Sequence, residues 1–308
     1  MIDFKKLVKA GVHFGHQTSR WCPKMKPYIW GHKNKVHLID VSQTAFQLEK
    51  AAQFLESKAV EGKQILWVGT KKAAQETVKK IAKSLKHPYV VHRWIGGTLS
   101  NPTEIKKART KLLHHEDVLV KSEKFHYYTK KELNVFQKIV NRLDKNIGGI
   151  RNLIWPIGAI VLVDVTKELS ALREAVAIGI PVIALVDTNG DPSLVDFVIP
   201  SNDDAPQAIG LLIDYLAQAV QRGKNVADQK AKEREQEKVK EKEAKKTKEE
   251  KTEKKEAAKA SKTKIVKETV LVKKTESPKT TEKKTDKQAP SKAIEEKNKQ
   301  VKATTKKK

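Results

Sequence analysis

Asp164, Asp187, Asp191 and Asp196, with Asp203 and Asp204 beyond them, group six carboxylates late in the chain. Carboxylates at strand ends can hold a magnesium ion or work as acid and base. Aspartate is also the residue of turns and helix caps. The D-x-D-x-D-G order of a calcium loop is absent, and no Ser, His and Asp or Cys and His arrangement stands nearby. Neither catalytic residues nor a resident metal are expected. His13, His16 and Cys22 are zinc-type ligands, but no fourth ligand is defined and their spacing matches no common site.

Cations form the other chemical group. Residues 12–30 read VHFGHQTSRWCPKMKPYIW, placing His13, His16, Arg20, Lys24 and Lys26 among Phe14, Trp21, Tyr28 and Trp30. Lys33 and Lys35 follow. Pro23 and Pro27 argue against a helix, so an irregular loop is expected. Basic groups neutralise phosphates while rings stack on bases or riboses, a mixture that suits RNA better than a duplex groove. Trp21 and Trp30 could equally pack on the body. Gly69-Thr70-Lys71-Lys72 opens a helix and could hold a phosphate at its N-terminus, although it lacks the G-x-x-x-x-G-K-[ST] pattern of a nucleotide-hydrolysing loop. Arg93 and Trp94, ahead of Gly96 and Gly97, offer a charge and a stacking face; the alternative is a tight turn whose Trp is core.

The elements that position these residues follow from hydrophobic spacing. Ile157–Val163 is apolar, Lys167–Ala177 has helical spacing, and Pro181–Val186 is apolar again. Continuous apolar runs around a helix mean strands buried on both faces, as in a parallel βαβ unit. The loop 187–192, DTNGDP, then leaves the carboxyl edge, where open α/β sheets carry ligand sites. Phe197–Pro200 makes a third run, and a helix beginning near Ala205, with Asn202 or Asp203 as cap, extends to about Gly223. Upstream, a short helix carries Phe4, Leu7 and Val8, a strand covers Lys35–Asp40, and Ser42 caps a helix to about Val60. Ile65–Val68 and Tyr89–His92 are strands around a helix bearing Ala74, Val78, Ile81 and Leu85.

Ile105, Ala108, Leu112, His115 and Leu119 are spaced three and four apart, as are Leu133, Phe136, Val140, Leu143 and Ile147. Two such seams predict an antiparallel coiled-coil hairpin, inserted at about residues 102–147 with its tip in 120–129.

Composition separates the chain into two materials. Of 63 basic and 37 acidic residues, 33 and 21 lie in 1–223, and 30 and 16 in 224–308. The body therefore carries +12 and the tail +14. A basic tail alone could be an appendage, but a basic body implies that a polyanion meets the folded surface. The tail has no aromatic residue and few aliphatics, so a disordered basic segment is expected over 224–308, with nascent helix from Ala227 to Ala260 and non-specific polyanion contact as its role. One cysteine precludes an internal disulfide and suits a reducing compartment. No apolar run approaches the roughly 20 residues of a membrane helix, no signal peptide is seen, and a cytoplasmic protein is expected.

KAGVHFGHQT with WCPKMKPYI, LWVGTKKAA, HRWIGGTLSN, NIGGI and GIPVIALVDTNGDPSLVDFVIPSNDDA occur in that order between Met1 and about Gly223. Together they resemble the bacterial small-ribosomal-subunit protein S-two family. The resemblance implies a three-layer α/β/α flavodoxin-like parallel sheet with an inserted coiled-coil hairpin. It also implies a non-catalytic subunit component, with no cofactor or small-molecule substrate, bound to ribosomal RNA at the head and body junction. Its protein partners would be neighbouring small-subunit proteins, among them ribosomal protein S-one, which it helps to hold for messenger capture. Cys22 stands where the family usually has Asn, and Pro102 where an aromatic is common. The expected RNA contacts are His16, Arg20, Lys24, Lys26, Lys33, Lys35, Lys71, Lys72 and Arg93, with Trp94 stacking. Two other classes stay open: a nucleotide-dependent enzyme of the same fold, with Gly69–Lys72 and the DTNGDP loop as its pocket, and a free RNA chaperone driven by the tail.

Overall fold

The computed structural model describes residues 2–124 and 128–230. All of these described residues belong to one compact unit. The expected disordered tail lies, from residue 231 onward, outside them.

The chain opens with helix α1 (Phe4–Lys9), capped by Asp3, followed by strands β1 (Phe14–Gln17), β2 (Ile29–Lys33) and β3 (Val36–Ile39). These three strands form an antiparallel sheet of order β1-β3-β2. The expected irregular loop is thus largely ordered. Short 3-10 helices at Thr18–Arg20 and Pro23–Tyr28 fill the gap between β1 and β2. Proline fits there because Pro23 opens its turn, where an N–H has no partner to reach. The strand expected over Lys35–Asp40 is β3, whereas alternation gave no warning of β1 or β2, since bulges interrupt both pairings.

Helix α2 (Val41–Val60) follows, capped by Asp40, whose carboxylate accepts from the Ser42 N–H at 2.9 Å; Ser42 itself is not the cap. Then come β4 (Gln64–Val68), α3 (Lys72–Ser84) and β5 (Tyr89–Val90). The inserted pair α4 (Pro102–Lys124) and α5 (Lys130–Ile147) leads to β6 (Ile157–Val163), α6 (Leu169–Ile178), β7 (Val182–Val186) and β8 (Phe197–Pro200). A last helix, α7, runs over 206–230.

All neighbours in the main sheet are parallel, in the order β5-β4-β6-β7-β8. Counted along the chain this is 2-1-3-4-5, the doubly wound order of flavodoxin-like folds. Alternate side chains divide between two cores, which is why the strands read as continuous apolar runs. Ile65, Trp67, Val161, Val163, Ile183 and Leu185 face α2, α3 and α7, whereas Leu66, Val68, Ile160, Leu162, Ala184 and Val186 face α6 and the base of the inserted helices. Met25 of the N-terminal turns is fully buried in that second core.

Every expected seam position on α4 and α5 is buried or half-buried among exposed flanks. The helices pack on each other, with His115 stacked on Phe136 at 5.5 Å. Helix α4 is longer than expected, and at 23 residues spans about 35 Å. Thr129 and Glu132 form a reciprocal capping box at the start of α5. Arg151 ties the base together, reaching Glu116 and Asp144 at 2.6 Å each. Pro102 opens α4 at a first-turn position that proline favours.

Gly223 does not end α7. A Cβ there would lie 2.5 Å from the Glu56 carbonyl oxygen and 2.7 Å from Ala59 Cβ, so the glycine allows α7 to close on α2. Gly210, in the same helix, has nothing within 4 Å. Gly223→Ala should therefore lower unfolding free energy by about 1–3 kcal/mol, while Gly210→Ala should leave it equal or raise it by up to about 1 kcal/mol. Urea denaturation of the two variants checks the contrast.

Candidate nucleic-acid interface

The first question is what occupies the carboxyl edge, where this topology elsewhere places ligands. Between β4 and β6 the strand order reverses, opening the crevice that doubly wound folds use for binding. Here Lys71 enters it. The ammonium, 12% exposed, lies 2.7 Å from Asp203, 2.6 Å from Asp204 and 3.7 Å from Asp164. Burial alone would lower the Lys71 pKa, but its bonds to Asp203 and Asp204 reverse this and raise it above the ordinary lysine value. The backbone N–H of Thr70, expected to face a phosphate, donates instead to Glu168 at 2.9 Å. Glu168 is buried, and burial raises its carboxyl. The chain's own groups thus take both roles assigned to a ligand at Gly69–Lys72, and Lys71 is turned inward, away from an RNA phosphate.

The acidic residues are sorted rather than clustered. Asp164, Asp187 and Asp203 are each 3% exposed or less and meet at the edge. Asp164 caps the turn after β6, accepting from Thr166 and from the Lys167 N–H. Asp191 moves to the rim, paired with Lys24 at 2.8 Å; that bond holds it down to about 2. Asp196 lies at the opposite, amino edge, accepting from the Val182 N–H at 2.8 Å. Asp203 is pushed up to about 7, first by burial and then by Asp164 and Asp187, against the pull of Lys71. Asn202, expected as a cap of α7 along with Asp203, instead shapes the turn ahead of it, accepting from the N–H groups of Asp204 and Ala205, while the first helical bond runs from the Ile209 N–H to the Ala205 carbonyl.

His16 completes the group. Its Nδ1 donates to Asp187 at 2.9 Å and its Nε2 lies 3.4 Å from Asp204. The bond to Asp187 raises its pKa, with burial opposing. Ligand-type atoms of His16, Asp187, Asp203 and Asp204 lie within 4.8 Å of one another. The arrangement suits a cation, and the Lys71 ammonium is the cation it holds.

Further bonds extend the clasp between the N-terminal sheet and the edge loops. The His16 N–H donates to Thr188 Oγ1 at 2.9 Å, Cys22 N–H to the Thr188 carbonyl at 2.7 Å, and Asn202 N–H to the Val12 carbonyl at 3.1 Å. A Cβ on Gly15 would come within 2.6 Å of Thr188, so the glycine permits the approach. Cys22 packs its side chain on the second core.

Of the expected RNA contacts, Arg20, Lys24, Lys26, Lys33, Lys35, Lys72 and Arg93 are exposed. Only Lys24 among these seven has a carboxylate partner among the described residues. Trp94 is placed differently: it is 8% exposed, and its Nε1 donates to Glu174 at 2.9 Å. Glu174 also accepts from the N–H groups of Gly97, Leu99 and Ser100 and from the Ser100 hydroxyl. Burial works to raise that carboxyl, and these bonds outweigh it and leave its pKa low. Glu174 shapes the whole HRWIGGTLSN loop, yet as an acid on a helical segment it shows no sequence signal of that role. The most exposed large hydrophobic ring among the described residues is Trp30, 77% exposed on β2.

Because the folded His16 pKa lies above the ordinary value of 6.5, its contribution is complete below 6.5 and is lost as pH rises through the folded value. An NMR titration of the His16 ring should have its midpoint above 6.5, and Asp187→Asn should bring it down. A wild-type midpoint at or below 6.5 contradicts the clasp.

Residues 7–223 match the family profile described as Ribosomal protein S2. A relative, the small ribosomal subunit protein uS2 of Cytophaga hutchinsonii, is 44% identical over 237 residues, covering 75% of this chain and 93% of the relative. The chain belongs to the ribosomal protein S2 family.

Proposed function

We propose that this chain is a structural, non-catalytic component of the small ribosomal subunit that binds ribosomal RNA through its N-terminal sheet and turns. The family works on the cytoplasmic ribosome of bacteria. The observation that supports the RNA reading is the set of exposed, carboxylate-free cations Arg20, Lys26, Lys33 and Lys35 on elements clasped to a filled sheet edge. Unpaired surface cations on fixed backbone suit phosphates, because each contact releases condensed counterions. Lys72, at the start of α3, and Arg93, on the loop that follows β5, extend the cationic set. The same crevice argues against a nucleotide-dependent enzyme, since Lys71 and Glu168 stand where a phosphate would be held.

The family resemblance further supports a position at the junction of head and body, with the inserted helices as a docking arm toward neighbouring small-subunit proteins. Helping to hold ribosomal protein S-one belongs to the same reading. The clasped body, and not residues 224–308 alone, carries the RNA contact in this proposal.

Lys26→Glu with Lys33→Glu should weaken binding to small-subunit RNA and flatten its dependence on salt, by a log–log slope of about 1 per lost phosphate contact. Filter binding across salt concentrations checks this, and unchanged affinity at every salt excludes the patch. A chain ended after residue 238 should still bind that RNA and sediment with small subunits. Complete loss on truncation would favour the tail-driven chaperone.

A further inference from the structure

We propose that the Trp30 indole stacks on an unpaired base of the ribosomal RNA, so that β2 takes a single-stranded nucleotide. The inference rests on the RNA-binding reading above and deepens it.

Trp30 is the most exposed large hydrophobic side chain among the described residues. It makes no ring contact and no side-chain hydrogen bond among them. A solitary exposed tryptophan forgoes the burial that usually accounts for its presence, and such rings are enriched at interfaces. Its exposure has a definite backbone cause. Ile29 pairs with Ile39 and Gly31 with Leu38, so two residues of β2 advance against one of β3, and Trp30 sits in the bulge. Bulges re-aim side chains beside functional sites. The rest of β2 is held by His32 opposite His37 and Lys33 opposite Val36, so the ring is presented from fixed backbone.

Charge selects the occupant. The β2–β3 turn is only Asn34-Lys35, and both residues have positive φ, 50° and 63°. Lys35 occupies a conformation that glycine adopts without cost. With Lys33 beside this turn and Lys35 within it, the neighbourhood of Trp30 favours a polyanion over an apolar peptide. Among nucleic acids, a paired helix hides base faces within its stack, whereas a loop or bulge offers a base face together with its phosphates. The other rings near the interface are already engaged: Trp21 lies against His37 at 5.4 Å and Trp94 is inside.

The test uses the full chain and small-subunit ribosomal RNA in filter binding, with W30A, W30F and the Lys26→Glu, Lys33→Glu pair. W30A should bind about 10- to 100-fold more weakly with an unchanged salt slope, and W30F should stay within about threefold of the parent. The charge pair should instead flatten the slope. Trp30 is 77% exposed and makes no ring contact or side-chain hydrogen bond among the described residues, so W30A should melt with the parent, and W30F carries the comparison if it does not. Parental affinity in W30A, or equal loss in W30A and W30F, overturns stacking while leaving the RNA reading intact. Loss confined to subunit assembly, with bare-RNA binding unchanged, assigns the ring to a protein neighbour and overturns it as well. No binding by the parent chain defeats both readings.

Discussion

Neutralisation of buried carboxylate at the carboxyl edge of the sheet is the constraint on which the molecule turns. Asp164, Asp187 and Asp203 are nearly inaccessible to water, and isolated charges in such a place cost several kcal/mol each. Lys71 enters from the start of α3 and His16 from β1. Burial, with Asp164 and Asp187 nearby, raises the Asp203 carboxyl, which moderates what remains. The two cations come from different layers, so satisfying the acids also fixes where those layers meet. The crevice that a related topology gives to a cofactor becomes an internal joint, and the basic N-terminal sheet is what the joint holds.

A second carboxylate performs the same service elsewhere. Glu174 receives three backbone N–H groups, an indole and a hydroxyl, and so helps to set a glycine-bearing loop. Arg151 does the converse, one guanidinium collecting acids from both inserted helices. In each case a single buried or half-buried charge organises several flexible donors or acceptors, at a bond strength above that of neutral pairs. Rigidity at the surface is derived from ionic hubs just beneath it.

Much of the scaffold was legible because hydrophobic spacing is a local property. The strands at Ile157–Val163 and Phe197–Pro200 have the predicted bounds, and both helical seams lie where three-and-four spacing put them. What escaped was everything decided by non-local contact. Lys71 looks like a phosphate ligand until β8 and α7 bring Asp203 beside it. Trp94 reads as a stacking ring until α6 supplies Glu174. Gly223 has the look of a helix terminator, and only the nearness of Glu56 shows that it serves close packing. Of the N-terminal strands, β3 was legible as Lys35–Asp40, while β1 and β2 were missed because they are four or five residues long and interrupted by bulges, which erases the period-two pattern. The Thr129-x-x-Glu132 capping box, by contrast, is written openly in the sequence.

The distance along the chain between the two halves of the joint sets an order of events during synthesis. His16 leaves the ribosome that makes it some 170 residues before Asp187 exists, and α3 places Lys71 well ahead of Asp203. Translation proceeds from the N-terminus at about 5–20 residues per second, so the cationic N-terminal region waits many seconds without its anchor. Its final geometry is therefore a late product of folding, formed only after the last parallel strand has emerged. A nascent chain cannot present the finished RNA-facing surface until nearly all of its folded part has been made.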